Sequence, residues 1–440
     1  MSFTTLGVHP AILPGLTSAG ITSAFPIQKA TLPDAIAGLD ILGRGQTGSG
    51  KTLAFGLAMI TRLANRKAEP FHPIALILSP TRELAMQISD ALAPLARLVN
   101  LNTQVIVGGL GYSRQIQGLR RGVPILVATP GRLLDLIKKE GLRLDHVEIT
   151  VLDEADQMSD MGFLPVVKEI LSQTKSDGQR MLFSATLDRD VDSLVKRFLK
   201  NPKTHSVANF AKIEGKMSHH VLILEQSDKD KISAQIAARE GRTIFFVRTK
   251  HGADRLVEKM LRVGVSAGAL HGGKSQNQRT RILEAFKSGS TRALIATDVA
   301  ARGIHVDDVS LVVHVDSPEN PKDYLHRAGR TARAGAEGVV VTLATASQRR
   351  GIHGMTAKAG VVLKESKVRP MDSNLVSITG AMEPSGIAVA TKPVSSERAR
   401  RSSRDSGARG RGQRNESRKR PFKSGKSSGG YKGRERRDSK

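Results

Sequence analysis

The chain alternates short apolar runs with longer segments in which apolar residues recur at helical spacing. In the first half, the apolar runs are Leu39–Leu42, Ile74–Ser79, Val123–Ala128, Ile149–Leu152 and Met181–Ser184. The helical segments between them are Leu53–Leu63, Arg82–Val99 and Arg132–Lys139. Apolar strands that alternate with helices predict a parallel sheet covered by helices on both faces.

The pattern pauses and then repeats, which predicts a second domain of the same class. Residues 203–218 mix charged, glycine and polar positions without a clear period, so we interpret them as the region of an interdomain linker. The later apolar runs are His220–Leu224, Thr243–Val247, Ser266–Leu270, Ala293–Thr297, Leu311–Val315 and Gly338–Leu343, and the later helical segments are Gly252–Leu261 and Gln276–Phe286. We predict an α/β fold with domains at 1–207 and 218–368, a linker at 208–217 and a tail at 369–440.

Positive charge is concentrated at the C-terminal end. The 440 residues carry a formal net charge of +27, and residues 398–440 hold 17 Lys/Arg against 4 Asp/Glu, a net charge of +13. From Ser395 the chain is rich in Arg, Lys, Ser and Gly, with almost nothing to bury. Such a segment cannot offset its ordering entropy, so the tail is predicted to be disordered. The excess charge predicts a polyanion as partner.

Composition also excludes several classes of protein. Cysteine is absent, which rules out disulfides and cysteine-based zinc sites. No apolar run approaches the roughly 18 residues that a membrane span needs, and the N-terminus lacks the pattern of a secretion signal. We therefore expect a cytoplasmic protein that does not bind membranes.

The residues Gly45-Gln46-Thr47-Gly48-Ser49-Gly50-Lys51-Thr52 have the spacing of a phosphate-binding loop. An apolar run precedes the motif and a helical segment follows it, which is the context that such a loop needs. Its backbone N–H groups and the helix N-terminus would bind an anion. We expect Lys51 to contact the β- and γ-phosphates of ATP and the Thr52 hydroxyl to contact Mg²⁺. The alternative is a glycine-rich loop without function.

Three carboxylates follow the apolar run that ends at Leu152, in the sequence Asp153-Glu154-Ala155-Asp156. Ligands bind at the carboxyl ends of strands in open α/β sheets. In a phosphate-loop protein, an acid at this point holds Mg²⁺ and a neighbouring acid positions or deprotonates the attacking water. We assign the metal to Asp153, through water, and the base to Glu154; a solvated acidic turn is the alternative.

Three arginines lie within seven residues of the second domain, in His326-Arg327-Ala328-Gly329-Arg330-Thr331-Ala332-Arg333. Guanidinium groups suit the charge that spreads over a phosphoryl group in transfer. If the two domains face each other across the nucleotide, Arg330 and Arg333 would reach the γ-phosphate. A basic surface patch is the alternative.

Taken together, these motifs resemble those of DEAD-box ATP-dependent RNA helicases of superfamily 2, and the ends and tail are similar to the bacterial RhlE-like group. Asp153-Glu154-Ala155-Asp156 gives that family its name. The similarity covers about residues 3–345. Its other matching motifs are Pro80-Thr81-Arg82-Glu83-Leu84-Ala85, Gly108-Gly109, Thr129-Pro130-Gly131-Arg132, Ser184-Ala185-Thr186, Phe246-Val247-Arg248-Thr249, His271-Gly272, Gln276 with Arg279, and Ala296-Thr297-Asp298-Val299-Ala300-Ala301-Arg302-Gly303.

The resemblance implies two tandem RecA-like domains and an RNA-stimulated ATPase that unwinds short RNA duplexes locally and remodels RNA–protein complexes. It implies that Phe3 stacks on adenine, that Gln28 hydrogen-bonds its edge, and that Ser184 and Thr186 couple hydrolysis to strand separation. It implies that the phosphates contact Gly45, Gln46, Thr47, Gly48, Ser49, Gly50, Lys51 and Thr52. It implies RNA contacts at Pro80, Thr81, Arg82, Gly109, Thr129, Arg132, Arg248, Thr249, Gly272 and Thr297.

One departure from the family pattern concerns His305, which stands where the family usually has an aspartate that contacts the ribose of ATP. A neutral imidazole can accept a hydrogen bond from a hydroxyl, but the imidazolium cannot. We therefore predict that ATP affinity weakens at mildly acidic pH, and a KM for ATP that stays flat from about pH 5.5 to 8 would contradict this.

Several alternatives remain open at the level of the sequence. An ATP-gated RNA clamp or annealing factor that seldom unwinds would use the same motifs, and a noncatalytic RNA-binding protein or a DNA helicase are further candidates. Most of the implied RNA contacts would be to phosphate and sugar, so we expect binding without sequence preference. The family implies ribosomal precursors or the RNA-decay machinery as settings, and a monomeric core.

Overall fold

The structure, a computed structural model, describes residues 2–45, 48–206, 217–301, 306, 308–332 and 337–389. Two parallel sheets organise these residues, one at 41–206 and one at 217–367. We call residues 2–206 the first lobe and residues 217–389 the second lobe. This arrangement confirms the predicted fold class of two tandem parallel α/β domains.

The first lobe has a seven-stranded parallel sheet in the order β3-β4-β2-β5-β6-β1-β7. Its strands are β1 (Ile41–Arg44), β2 (Ala75–Leu78), β3 (Thr103–Ile106), β4 (Ile125–Ala128), β5 (Ile149–Asp153), β6 (Gln179–Ser184) and β7 (Lys203–Ser206). Its described helices are α1 (Leu13–Ser18), α2 (Pro26–Ile36), α3 (Lys51–Leu63), α4 (Arg82–Arg97), α5 (Tyr112–Arg120), α6 (Pro130–Glu140), α7 (Ala155–Asp160), α8 (Leu164–Leu171) and α9 (Arg189–Phe198).

The second lobe repeats this order as β10-β11-β9-β12-β13-β8-β14, again all parallel. Its strands are β8 (Met217–Ile223), β9 (Arg242–Phe246), β10 (Ala267–Leu270), β11 (Ala293–Ala296), β12 (Val309–His314), β13 (Gly338–Ala344) and β14 (Lys364–Lys367). Its described helices are α10 (Lys229–Ala237), α11 (Lys250–Arg262), α12 (Gln276–Lys287), α13 (Asp298–Ala301), α14 (Pro321–Ala328), α15 (Arg349–Lys358) and α16 (Ser373–Thr379).

Each sheet buries both of its faces, which explains the continuous apolar runs in the sequence. In the first lobe, β2 and β4 are buried at every position, and an apolar cluster lies on each side of the sheet. The second lobe has the same pair of clusters. Helices cover both faces, so the loops at the carboxyl ends of the strands are the places left for ligands.

The linker-like composition at residues 203–218 extends into both sheets, whereas the predicted linker at 208–217 overlaps a strand only at Met217, the first residue of β8. Residues Lys203–Ser206 form β7, which pairs with β1 in parallel register, so they belong to the first sheet. These residues are mostly exposed, and an edge strand with polar side chains on both faces has no apolar period to reveal it. Residues 207–216, which contain most of the predicted linker, lie outside the described residues.

The predicted tail also begins too early, because residues 369–389 pack on the second lobe. Helix α16 buries Leu375, and the Gln235 side chain accepts a hydrogen bond from the Met371 backbone N–H. Further on, the Val389 N–H donates to the Leu261 carbonyl at 2.9 Å. Few apolar residues are enough here because the segment adds to an existing core. The remaining residues of the predicted tail lie outside the described part.

Within the described part of the chain, no helix is both long and apolar enough to span a bilayer.

Candidate functional site

The glycine loop follows β1 and leads directly into α3. Gly48 and Gly50 have φ of 88° and 89°, a left-handed conformation that favours glycine. A side chain at Gly50 would also meet Gln28 Nε2 and the Phe25 ring at 2.6 Å, so the loop packs too tightly for any larger residue. The first residue of α3 is Lys51, and Thr52 follows it, half-buried. Gln46 and Thr47 lie outside the described residues.

Lys51 forms a buried ion pair with Glu154. Its Nζ lies 3.0 Å from Glu154 Oε1 and donates to the Gly45 carbonyl at 2.9 Å. Burial alone would lower the pKa of Lys51, but the nearby carboxylates of Glu154, Asp153 and Asp156 raise it above its usual value. The ammonium is therefore charged at any working pH, at the point where the sequence predicted the phosphates.

Glu154 is held in a left-handed backbone conformation, with φ of 53°. A non-glycine residue in this region costs about 1 kcal/mol or more, and such residues cluster at functional sites. This conformation makes a sharp turn between β5 and α7. Glu154 is the N-terminal cap residue of α7. The turn brings the Glu154 carboxylate to Lys51 on the far side of the loop.

Asp153 ends β5 and is 2% exposed. Burial, reinforced by the Glu154 charge and opposed by Lys51, raises the pKa of Asp153 to about 7. Glu154 and Asp156 are also buried, so negative charge exceeds positive charge in this pocket, which fits a divalent cation. The described residues contain no group of three or more His, Cys, Asp or Glu able to hold a metal.

Asp156 joins the acidic turn to the segment after β6. Its Oδ2 accepts hydrogen bonds from both the N–H and the hydroxyl of Thr186, each at 2.9 Å. Its own N–H donates to Ser184 Oγ, whose hydroxyl donates to the Thr186 carbonyl. Burial would raise the pKa of Asp156, but His326, Lys51 and these hydrogen bonds lower it. Ser184 and Thr186 therefore contact the acidic motif directly.

The residues predicted to contact adenine lie beside the glycine loop. Gln28 is fully buried; its Oε1 accepts from the Phe25 N–H at 2.8 Å and its Nε2 donates to the Gly50 carbonyl at 3.0 Å. The amide retains one further donor and one further acceptor position. Phe3 is 5% exposed and packs in the apolar core of the first lobe. Its predicted stacking on adenine stays a prediction.

The arginine motif lies on α14 and just after it. Arg327 is fixed within the second lobe: it makes two hydrogen bonds to Asp298 at 2.6 and 2.7 Å, and its guanidinium lies over the Phe246 ring. Arg330 is also buried, and its Nε donates to the His326 carbonyl at 3.2 Å. Arg333 and His305 lie outside the described residues, so the structure gives no position for either.

His326 on α14 approaches the acidic motif of the other lobe. Its Nε2 lies 4.0 Å from Asp156 Oδ2, the atom that also holds Thr186. Asp156, Thr186 and the arginine helix thus meet at one point. The sequence did not assign this central position to Asp156, because it depends on residues 30 and 170 positions away.

The first-lobe residues predicted to contact RNA follow β2, β3 and β4. Thr81 caps α4 by accepting a hydrogen bond from the Leu84 N–H at 3.3 Å, and Pro80 precedes it. The Arg82 guanidinium lies on Gly109, where an added Cβ would come within 2.4 Å of its Nη1. Gly109 also has φ of 81°. After β4, Thr129 is the N-terminal cap residue of α6, and the Arg132 guanidinium lies 5.2 Å from the centre of the Tyr112 ring.

The second-lobe residues predicted to contact RNA follow the equivalent strands. After β9, the Arg248 backbone N–H donates to Asp316 Oδ2 at 2.9 Å, and the Arg248 side chain is 61% exposed. The next residue, Thr249, caps α11. Gly272 follows β10, and Thr297 follows β11, with its N–H donating to the Leu270 carbonyl.

A second bridge between the lobes lies on this side of the sheets. Glu83, in the first turn of α4, accepts from Gln276 Nε2 at 3.1 Å and pairs with Arg279 Nη2 at 2.8 Å. All three side chains are buried. No role was predicted for Glu83, because its partners lie nearly 200 positions away along the chain. The lobes are therefore joined beside the predicted RNA loops as well as beside the acidic motif.

Two family models match the chain. The DEAD/DEAH box helicase model matches residues 25–194, and the helicase conserved C-terminal domain model matches residues 227–335. These spans contain the glycine loop, the acidic motif and the arginine motif.

Curated relatives and solved structures agree with these matches. The ATP-dependent RNA helicase RhlB of Pseudomonas syringae pv. tomato is 40% identical over 78% of this chain and 88% of that protein. The RhlB protein of Xanthomonas oryzae pv. oryzae is 40% identical over 78% of this chain, which spans only 62% of that longer protein. The structure of S. cerevisiae Dbp5 bound to RNA and ADP BeF3 has a TM-score of 0.76 at 28% identity, over 86% of this chain and 99% of that chain. The RhlE-like subgroup stays a prediction.

Proposed function

The chain belongs to the DEAD/DEAH box helicase family and is an ATP-dependent RNA helicase, and we propose that its hydrolysis of ATP drives local, non-processive unwinding of short RNA duplexes. Remodelling of RNA–protein complexes would follow from the same action. The observation that carries this proposal is the pair of bridges between the lobes, one at Asp156 and His326 and one at Glu83, Gln276 and Arg279. Nucleotide loops and RNA loops lie beside the same lobe interface, so closing it serves both ligands.

In the nucleotide site, the loop N–H groups and Lys51 bind the phosphates, and Glu154 orients and deprotonates the attacking water. Thr52 and Asp153 are the residues that would hold Mg²⁺, which when bound offsets the charge of the phosphates and the buried carboxylates. The ammonium of Lys51 exchanges its contact with Glu154 for one with phosphate, and this frees the carboxylate to act as a base.

Arg330 and Arg333 complete the site from the second lobe by binding the γ-phosphate in the closed state. Ser184 and Thr186 transmit the change at Asp156 to the RNA side, because Thr186 donates to the Asp156 carboxylate, while Ser184 accepts from the Asp156 N–H and donates to the Thr186 carbonyl. Since ATP and RNA favour the same closed state, each raises the affinity of the enzyme for the other by an equal factor.

RNA would lie across the loops that follow β2, β3 and β4 in one lobe and β9, β10 and β11 in the other. Arg82 and Arg248 supply the cations for the phosphates. A strand that follows both sets of loops bends where the lobes meet, and a regular duplex cannot, so one strand is released. Sequence preference is not expected, because phosphate contacts fix position and not sequence.

The deciding experiment measures ATP turnover with and without RNA, together with displacement of a short labelled RNA duplex. We expect RNA to stimulate ATP turnover at least about ten-fold and displacement to require ATP. Glu154→Gln is the matched control for contaminating ATPase. ATP-dependent binding without displacement would favour an RNA clamp, and turnover that ignores RNA would contradict the proposal.

The C-terminal tail would act as a tether for RNA. Because residues 369–389 pack on the second lobe, the truncation that tests this should begin after Val389 and leave α16 in place. Removal of residues 390–440 should flatten the dependence of RNA affinity on salt, since fewer counterions are released. An unchanged slope would contradict the tether. We further propose a monomeric core, a cytoplasmic location, and ribosomal precursors or RNA-decay complexes as targets.

A further inference from the structure

Lys322 contacts two carboxylates of the opposite lobe at once. It is the second residue of α14, and its Nζ lies 2.8 Å from Asp160 Oδ1 and 2.8 Å from Asp188 Oδ2. The lysine belongs to the second lobe and both aspartates to the first. All three side chains are partly buried, with exposures of 26%, 24% and 35%. None of the motifs discussed above includes any of the three.

The two aspartates end the segments that carry the chemistry of the first lobe. Asp160 is the last residue of α7, the helix that begins directly after Glu154. Asp188 lies two residues after Thr186, and its Oδ1 caps α9 by accepting from the Val191 N–H at 2.9 Å. A contact made by these two carboxylates therefore affects the position of the acidic motif and of residues 184–186, which hydrogen-bond with it.

Lys322 lies on the helix that carries the arginine motif. It precedes His326 by four residues, so both side chains leave α14 on the same face, towards the first lobe. His326 reaches Asp156, and Arg330 follows one turn later with its Nε on the His326 carbonyl. Lys322 therefore holds the first turn of α14 against the first lobe, and His326 holds the next turn against it.

The charges of the three groups favour this contact. Burial lowers the pKa of Lys322, but its hydrogen bonds to Asp160 and Asp188 raise it above the usual value. Burial raises the pKa of Asp188, but the hydrogen bond and charge of Lys322, together with hydrogen bonds from backbone N–H groups, lower it below its usual value. A partly buried lysine between two carboxylates is screened less by solvent than a single surface pair.

We propose that Lys322 is a positioning residue that latches the arginine helix to the ATP-binding lobe when the lobes close, through its ion pairs with Asp160 and Asp188. It touches neither nucleotide nor RNA and acts through α14. The inference rests on the proposed function, because closure has a purpose only if ATP and RNA share the interface. Loss of the latch lowers the population of the closed state, and the apparent RNA affinity falls in proportion.

The test combines lobe closure with steady-state kinetics. Because the chain has no cysteine, single cysteines at exposed Ser176 and Ser227 allow specific labelling of the two lobes for energy transfer. Closure is followed as single-stranded RNA is added in the presence of a non-hydrolysable ATP analogue. We expect Lys322→Glu to raise the RNA concentration needed for half-closure about ten-fold and Lys322→Met about three-fold.

In the ATPase assay, the same variants should raise the KM for RNA by similar factors, with kcat at saturating RNA within about two-fold of the parent. A residue needed only for folding would instead lower the apparent kcat, because less enzyme is active, and would leave the KM for RNA unchanged. The charge-swapped pair Lys322→Glu with Asp160→Lys keeps the net charge of the three groups and should restore most of the RNA affinity. Asp188 is left in place because it caps α9.

Lys259→Glu is the matched control, because Lys259 pairs with Asp230 inside the second lobe. It should leave closure and the KM for RNA unchanged. If Lys322→Glu closes like the parent, or if the charge swap fails to restore the KM, the latch is wrong and the helicase function stands. If the parent itself neither closes nor hydrolyses ATP with RNA, both the proposed function and the latch are overturned.

Discussion

The two lobes share one strand order but differ in the loops that follow equivalent strands. In the first lobe, β1 leads through the glycine loop to Lys51, the first residue of α3. In the second lobe, the equivalent strand β8 leads through residues 224–228, which include no glycine, to Lys229, the first residue of α10. One scaffold therefore carries two different loops, and the first of them has backbone that can surround a phosphate.

One ion pair is common to both lobes. Lys51 Nζ lies 3.0 Å from Glu154, directly past β5, and Lys229 Nζ lies 3.2 Å from Asp316, two residues past the equivalent strand β12. In the second lobe the aspartate also accepts from the Arg248 N–H. The lysine–carboxylate pair thus belongs to the architecture of the fold. The glycine loop is what makes the first copy a candidate nucleotide site, while the second copy holds an exposed arginine.

The predicted RNA loops, in contrast, are repeated in both lobes. Thr81 after β2 and Thr249 after β9 cap the helices that follow, each with its hydroxyl on the N–H three residues later. Gly109 follows β3 and Gly272 follows β10. We therefore expect the loops that occur in both lobes to bind RNA, which is a repeating polymer. The glycine loop, which occurs only in the first lobe, is expected to bind a single nucleotide.

The largest expected difference is between substitutions of the two equivalent lysines, Lys51 and Lys229. Lys51→Met should lower ATP affinity about 100-fold or more and abolish turnover, because we propose that the buried ammonium contacts the phosphates. Lys229→Met is the equivalent change in the second lobe and should leave kcat within about three-fold. Nucleotide binding and ATP turnover of both variants check this. Equal losses in the two variants would break the comparison between the lobes.

The two carboxylates should differ almost as strongly. Glu154→Gln removes the proposed base and should lower kcat about 100- to 1,000-fold, while ATP still binds. Asp316→Asn weakens the anchor of the Arg248 backbone, so it should raise the KM for RNA and spare kcat. Turnover measured across a range of RNA concentrations distinguishes these results. A large fall in kcat for Asp316→Asn would contradict the assignment of the two copies to different ligands.

A smaller effect is expected for the arginines, and it should be similar in the two lobes. Arg82→Ala and Arg248→Ala should each weaken RNA binding about five- to ten-fold at low salt and reduce the salt slope by about one. Arg97→Ala is the control, because Arg97 is exposed at the far end of the same helix as Arg82. RNA affinity measured at several salt concentrations tests this prediction. If only one of the two arginine variants loses affinity, RNA does not span both lobes.

The smallest expected effect is a loss of stability at acidic pH, which should be larger in the second lobe than in the first. Burial lowers the pKa of His314 well below its usual value, and burial, reinforced by His220, lowers the pKa of His219 to about 4; both histidines lie in the second lobe. Between about pH 6.5 and 4 the unfolded chain binds a proton at His219 that the folded lobe does not, so the free energy of unfolding falls as the pH falls.

Hydrogen exchange resolved by lobe measures this difference at pH 7 and at pH 5. Exchange in the second lobe should speed up more than in the first, after correction for the intrinsic effect of pH. His219→Asn keeps an acceptor for the Tyr324 hydroxyl and does not titrate, so it should reduce the difference. A variant that keeps the full acid sensitivity would exclude His219 as its cause.

The fold could be predicted where apolar residues fill a strand, whereas three of the four edge strands were missed. Strands β2, β4, β9 and β11 appear in the sequence as apolar runs because helices cover both of their faces. Strands β3, β7 and β14 were missed, and each lies at one edge of its sheet. The side chains of β7 and β14 are polar and mostly exposed, and β3 is half-buried at three of its four positions, so none of the three strands forms a continuous apolar run. Pairing with a neighbouring strand determines them.

The candidate site divides in the same way. The glycine loop and the acidic turn are contiguous in sequence, and each forms its own backbone geometry, as the left-handed φ angles of Gly50 and Glu154 show. The Thr186–Asp156 and Lys322–Asp160 contacts join residues that are 30 and 162 positions apart. No local pattern marks such pairs, because each partner alone looks like an ordinary polar surface residue.

The sequence by itself determined two parallel α/β lobes, the loop that predicts ATP and the order of the motifs, because these depend on local spacing and on which residues avoid water. Only the tertiary structure decided which charges meet across the lobes: Lys322 with Asp160 and Asp188, His326 with Asp156, and Arg279 with Glu83. The physical reason is that ion pairs act over a few ångströms in space, whatever the distance along the chain, so their partners exist only once both lobes have folded and met.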